Sequence, residues 1–235
     1  MGHPDVGGTP LNPLIVLGAT GSIGQQAIEV AARTGNEIHT IGARSASTAL
    51  LELARKLPDT RVCVVERGEH RDEFHSALGD RLHFGQGAIT EAAATPGTTV
   101  VNGIVGSAGL SATLAALYAG NRVALANKES LVAGGPLVLK ALAENGGELL
   151  PVDSEHSAVW QLLVGEDRAA VRRVILTASG GPFRGRTRDQ LAGVSVEDAL
   201  AHPTWKMGSR ISVDSATLMN KAFEVIEAHF LFGLD

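Results

Sequence analysis

Three glycines set at equal spacing constrain this chain more than any other feature. Gly18, Gly21 and Gly24 follow an apolar run at 14–17 and lead into residues 25–32, whose apolar positions recur with a helical period. A strand that turns on glycine into a helix lets the backbone approach a pyrophosphate, while the helix N-terminus offers free N–H groups and the positive end of its dipole. The spacing G-x-x-G-x-x-G is commoner in NADP-type variants than G-x-G-x-x-G. A tight turn with no ligand is the other reading. The next strand, at 37–41, lacks the terminal Asp or Glu that would take a ribose 2'-hydroxyl and is followed by Gly42, Ala43, Arg44 and Ser45. An arginine with a hydroxyl suits a 2'-phosphate, which favours NADPH over NADH; Arg44 as a solvated loop charge is the alternative.

Beyond this unit, helix-like stretches at 47–57, 69–78, 110–119 and 136–144 alternate with strand-like runs at 61–65, 99–105, 122–125 and 147–150. Such alternation predicts an α/β fold with a doubly wound parallel sheet, a Rossmann-like nucleotide domain over 14–150. Two stretches fall at the carboxyl edge of that sheet, where ligands bind. One is the glycine loop Asn102, Gly103, Gly106 and Gly109. The other is Asn127, Lys128 and Glu129, where the lysine either reaches inward to an oxyanion or stays on the surface. Alternation loosens after 150, so a second, α+β catalytic domain is expected over 151–235. Residues 1–13 read as a frayed tail.

At the boundary stands PVDSEH, residues 151–156. If the backbone stays extended there, Asp153 and Glu155 face one way. Two carboxylates aimed at one spot must be solvated, share a proton or hold a cation, and the cation is the working reading. Downstream, 158–164 reads as a helix and 171–176 as a strand ending in Ser179, Gly180 and Gly181, a plausible anion cradle. Trp205, in the loop 202–208, can cap a ligand and exclude water, or anchor the loop on the core. In 212–232, Asp214 or Ser215 can cap a helix on which Asn220, Lys221 and Glu224 share one side. Glu224 alone, like Glu227, reads as a solvated helix charge. His156, His202 and His229 could each hold a metal, but the oxygen-rich set suits Mg2+ or Mn2+ better than zinc.

The totals exclude several classes. A net charge of −5 gives no basic field for nucleic acid. No apolar run approaches the roughly 18 residues of a membrane span, and a reducing cytoplasm is the expected place. The single cysteine, Cys63, follows apolar neighbours and reads as a buried thiol.

LGATGSIG at 17–24, ANKESLV at 126–132, PVDSEHSA at 151–158, TASGGPF at 177–183, HPTWKMG at 202–208 and SVDSATLMNKAFEVIEAH at 212–229 closely resemble 1-deoxy-D-xylulose 5-phosphate reductoisomerase. The resemblance implies NADPH- and metal-dependent (Mg2+, Mn2+ or Co2+) conversion of 1-deoxy-D-xylulose 5-phosphate to 2-C-methyl-D-erythritol 4-phosphate in non-mevalonate isoprenoid biosynthesis, by a homodimer at full length. It implies Asp153, Glu155 and Glu224 as metal ligands. Substrate contacts would be Lys128, Ser154, Glu155, Ser179, His202, Trp205, Ser215, Asn220, Lys221 and Glu224, with Lys128, Glu155 and His202 nearest the chemistry. Cofactor contacts would be Gly18, Thr20, Gly21, Ser22, Ile23, Gly42, Arg44, Ser45, Asn127 and Glu129. Family members usually continue past the position of Asp235, so the catalytic part is expected to be truncated. Ala222 and Phe223 stand where glycine and leucine are common. The alternative is a silent NADPH-binding fragment; a semialdehyde dehydrogenase type would need a nucleophilic cysteine that the second half lacks.

Overall fold

The computed structural model describes residues 11–66, 68, 70–203 and 208–234. In chain order the first unit runs β1 (Leu14–Leu17), α1 (Ser22–Thr34), β2 (Ile38–Ser45), α2 (Thr48–Lys56), β3 (Arg61–Glu66), α3 (Arg71–Leu78), β4 (Leu82–Phe84), α4 (Gln86–Ala93), β5 (Thr99–Asn102), α5 (Leu110–Tyr118), β6 (Arg122–Leu125), α6 (Lys128–Asn145) and β7 (Glu148–Pro151). All seven strands form one parallel sheet in the order β4-β3-β2-β1-β5-β6-β7.

Parallel sheets are covered on both faces, so their strands are apolar without alternation. Ile15, Val16 and Leu17 are all fully buried. Ile15, Leu17 and Cys63 face a layer formed by α4, α5 and α6, and Val16, Val62 and Val64 face the layer of α1, α2 and α3. The winding reverses between β1 and β5, which lie side by side. That reversal leaves a crevice at their carboxyl ends, the usual ligand position in such sheets. Cys63 is the buried thiol its neighbours suggested, and burial pushes it up to about 11.

The second unit comprises α7 (Ser154–Leu163), the short α8 (Arg188–Leu191) and α9 (Val196–Leu200), then α10 (Ser209–Ala216) and α11 (Met219–Phe232). The strand expected at 171–176 is not formed. No strand among the described residues offers it a ladder, and Ile175 is exposed. The helix expected after Asp214 or Ser215 starts later, at Met219, after Leu218 in the left-handed conformation with φ of 61°, and the separate α10 precedes it. So Ser215 lies inside α10 and caps nothing.

Three boundaries in the first unit also differ. β2 continues through Ser45, so Gly42, Arg44 and Ser45 belong to the strand and not to a following loop. The helix expected at 136–144 is the part of α6 after a kink at Gly134, and an unexpected helical stretch precedes it from Lys128, where the Asn127 side chain caps it by accepting from the Ser130 N–H at 2.9 Å. β5 ends at Asn102, which leaves 103–106 as loop.

α11 closes onto α6 where Gly135 removes a side chain: the Phe230 ring lies where a Cβ on Gly135 would stand. Helix propensity favours alanine over glycine by about 1 kcal/mol, but a methyl here must displace an aromatic ring, and overpacking costs about 1–3 kcal/mol. Gly135→Ala is therefore expected to lower the thermal midpoint by a few degrees, as measured by calorimetry, at about 2–4 °C per kcal/mol for this chain length.

Candidate metal and cofactor site

β7 delivers the chain to Asp153, and there the extended backbone stops. Asp153 is the cap of α7, its carboxylate accepting from the Glu155 N–H at 3.2 Å, and Glu155 lies in the first helical turn. The two carboxylates thus converge through a helix start and not through strand alternation. α11 brings the third from 69 positions beyond Glu155: Glu224, fully buried. Oxygens of Asp153, Glu155 and Glu224 all lie within 4.8 Å of one another. A set made only of carboxylate oxygens suits a hard divalent cation such as Mg2+ or Mn2+.

Two ammonium groups hold this charge in check. Lys128, 8% exposed, makes a close ion pair with Asp153 and lies 3.4 Å from Glu224 Oε1. It is the inward-reaching lysine, not the surface one. Lys221 reaches Glu155 Oε1 at 2.9 Å and pairs closely with Glu224 Oε2, while Asn220 Nδ2 donates to Glu224 Oε1 at 2.5 Å. Ser154 Oγ donates to Glu155 Oε2 at 2.6 Å.

Burial acts to raise the Asp153 carboxyl. The His156 hydrogen bond and the Lys128 ammonium outweigh it and hold the group well below the usual carboxylate range. Glu155 is lowered in the same way, burial being overcome by Ser154 and Lys221. Burial likewise opposes both ammonium groups, yet the pKa of Lys128 is raised by Asp153 and that of Lys221 by Glu224 and Glu155.

His156 is not a ligand but a brace. It is fully buried, with Nδ1 3.1 Å from Asp153 Oδ1 and Nε2 2.9 Å from the backbone carbonyl of Glu224. Both partners are acceptors, so both contacts are satisfied only by the imidazolium. Burial opposes that form, and the Asp153 hydrogen bond prevails and raises the pKa. His156 therefore locks α7 to α11. Glu227, read from sequence as a solvated charge, is 3% exposed and lies 3.8 Å from both Lys128 Nζ and His156 Nδ1. Burial pushes its carboxyl up to about 7. One signal for it was present: the buried stripe of α11 reads Glu224, Glu227, Ala228, Phe232, so both acids occupy positions a core-facing helix gives to apolar residues. His229 contacts the Leu234 carbonyl at its own helix end and is not among the clustered donors.

Beside the acids lies a pocket lined by Ser179, Gly180, Gly181, Ser215, Asn220 and Lys221, with Glu155 and Leu218 at its margin. Gly180 and Gly181 have φ of 86° and 67°, which glycine alone adopts freely, and a Cβ on Gly181 would stand 2.7 Å from the Ser215 carbonyl. His202 Nε2 lies 3.2 Å from Ser179 Oγ. Trp205 lies outside the described residues.

At the switch point, a Cβ on Gly18 would meet the Gly103 carbonyl at 2.5 Å, and one on Gly24 would enter the Gly18 peptide. The turn through Thr20 and Gly21 opens into α1, whose cap provides no side-chain acceptor, so the N–H groups of its first turn, around Ser22 and Ile23, have none from it. Gly42 accepts from the Gly18 and Ala19 N–H groups at 2.8 and 2.9 Å. Asn127 and Glu129 grip the 103–106 loop: Asn127 Nδ2 donates to the Gly106 carbonyl at 2.8 Å, and Glu129 Oε1 accepts from the Gly106 N–H at 3.1 Å. Arg44 pairs with Glu66 at 2.8 Å, both largely exposed. It is a strand residue, solvated and paired with Glu66.

A doubly wound sheet with a glycine turn at its switch point, joined through the carboxyl end of β7 to an oxygen-only acidic centre, defines a Rossmann-like α/β protein with a second, cation-suited site. Comparison with known sequences narrows that class. Residues 14–135 match the family 1-deoxy-D-xylulose 5-phosphate reductoisomerase, and residues 149–232 match its C-terminal domain. The chain belongs to the 1-deoxy-D-xylulose 5-phosphate reductoisomerase family. It is 50% identical over 248 aligned residues to the reductoisomerase of Streptomyces coelicolor, covering 99% of this chain and 58% of that protein. With that of Xanthomonas campestris pv. campestris strain B100 it is 51% identical, covering 97% and 59%. The chain thus spans a little under three-fifths of the length of these relatives. Among solved structures, a DOX-P reductoisomerase in complex with NADPH, fosmidomycin and magnesium superposes with a TM-score of 0.88 at 39% identity, covering 96% of this chain and 59% of that one. The Zymomonas mobilis enzyme in complex with NADPH gives 0.85 at 40% identity, covering 96% and 59%.

His156→Ala leaves the Glu224 carbonyl and one Asp153 oxygen without their partner and opens a void between α7 and α11. The expected cost is about 2–4 kcal/mol, a buried unmade hydrogen bond plus a cavity. Urea titration followed by circular dichroism checks it; an unchanged midpoint would remove the bracing role.

Proposed function

We propose that this chain carries out the family reaction: NADPH- and divalent-metal-dependent conversion of 1-deoxy-D-xylulose 5-phosphate to 2-C-methyl-D-erythritol 4-phosphate, in non-mevalonate isoprenoid biosynthesis. The observation that carries the reading is the adjacency of two unlike subsites. Three carboxylates within 4.8 Å of one another adjoin a pocket of hydroxyl, amide and ammonium donors, and Glu155 and Lys221 belong to both. A substrate with a polyol at one end and a phosphate at the other matches that pairing. Relatives solved with NADPH, fosmidomycin and magnesium support the same assignment.

In this reading residues 14–150 hold the cofactor and 151–235 the substrate and cation. Gly18, Thr20, Gly21, Ser22 and Ile23 take the pyrophosphate, as a turn with no room for side chains and with an uncapped helix start would. Gly42, Arg44 and Ser45 lie toward the adenosine ribose, and Asn127 and Glu129 toward the nicotinamide half. Asp153, Glu155 and Glu224 hold the cation, which supplies Lewis-acid polarisation of the substrate's carbonyl. Lys128 offsets oxyanion charge next to it. Ser154 orients Glu155 through their 2.6 Å hydrogen bond. Ser179, Ser215, Asn220 and Lys221 bind the phosphate end, with His202 presented through Ser179.

A homodimer, no nucleic-acid partner and a reducing cytoplasmic setting complete the proposal. No helix among the described residues is long and apolar enough to cross a membrane.

The direct test is NADPH oxidation with 1-deoxy-D-xylulose 5-phosphate and Mn2+, with and without a chelator. Glu155→Gln is expected to abolish turnover and spare NADPH binding, measured by fluorescence titration; normal turnover would sink the metal assignment. Arg44→Asp is expected to shift the preference from NADPH toward NADH, read as the ratio of kcat/KM values. An unchanged ratio would mean that Arg44 serves only Glu66.

A further inference from the structure

Lys128 and Lys221 differ in where they can go. Both neutralise carboxylates that the proposed function assigns to a cation, and a divalent ion at Asp153, Glu155 and Glu224 would take those oxygens and repel both ammonium groups. Lys221 has 20% of its side chain exposed and borders the anion pocket, so water or a substrate anion can receive it. Lys128 has no such outlet: its side chain is 10% exposed, and a buried ammonium without a counter-charge is strongly unfavourable. One further carboxylate faces it. Glu227 Oε2 is 3.8 Å from Lys128 Nζ, is buried, and has no hydrogen-bond partner among the described residues. A native protein seldom leaves such an oxygen unused.

We propose that Glu227 is a positioning residue for the cation site: its spare oxygen receives the Lys128 ammonium when a divalent ion takes Asp153 and Glu224, so that the ligands are released without stranding a buried charge. This rests on the assignment of those carboxylates as cation ligands. It gives Glu227 a role distinct from ligation, since its carboxylate faces Lys128 at 3.8 Å and is not among the mutually close donors.

The test is Mn2+ binding to the protein without substrate or cofactor, followed by loss of the free-ion paramagnetic resonance signal. Glu227→Gln keeps the volume and removes the charge. It should still unfold in one cooperative thermal transition, because the side-chain volume is kept, whereas its Mn2+ affinity should fall about tenfold. In a Lys128→Met background the same change should shift affinity by less than about twofold, because no ammonium then needs a home. Lys128→Met alone should bind Mn2+ at least as tightly as wild type. Weaker binding in that single variant overturns the proposal even if Glu227→Gln does not fold.

Equal loss in both backgrounds would mean that Glu227 acts on the ion by direct charge and would overturn the proposal. Unchanged affinity in Glu227→Gln, or weaker binding in Lys128→Met, would overturn it as well. A folded wild type that binds no Mn2+ would overturn this inference and the cation assignment together, whereas the other failures leave that assignment standing.

Discussion

A buried ammonium among carboxylates from two distant parts of the chain is the constraint on which this architecture rests. Lys128 opens α6, the helix that follows β6, and its partners arrive on α7 and α11. Like charges gathered this closely would drive the helices apart if they stood alone. With Lys128, Lys221 and the imidazolium of His156 interposed, the same charges bind α6, α7 and α11 into one block. The acidic centre is therefore also a structural joint between the nucleotide sheet and the helices that follow it.

On the proposed reading, this arrangement separates folding from cation loading. In proteins whose ligands meet only around an ion, metal binding is itself the folding free energy. Here internal cations pair with the carboxylates, so the three acids are brought together by the chain's own charges. Replacing two ammonium groups by one divalent ion is then an exchange of counter-charges inside a formed structure.

The sheet was legible because a doubly wound parallel sheet demands apolar runs buried on both faces, and 14–17, 61–65, 122–125 and 147–150 have no other plausible use. The three-residue strand at Leu82–Phe84 and the alanine-rich helix after it were too short and too featureless to register. Asp153, Glu155 and Glu224 were legible through the motifs that carry them. Glu227 offered one signal, its place on the apolar stripe of α11, which its charge overrode, and His156 read as a possible ligand until the Glu224 carbonyl packed against it showed the brace. The segment at 171–176 failed for the converse reason. Its residues suit a strand, but a strand exists only beside another, and a neighbour is no property of the segment itself.

Leu218 carries a consequence for how the ligand face is made. A leucine at φ of 61° forgoes about 1–2 kcal/mol relative to ordinary helical backbone. A helix running unbroken through Leu218 would relieve that tension, and Ser215 would then be carried away from Asn220 and Lys221. The corner persists because Gly181 lies against the Ser215 carbonyl on one side and Phe230 lies over Gly135 on the other. The segment richest in recognisable motif is thus the one that cannot shape itself, and its working curvature is lent to it by the rest of the molecule.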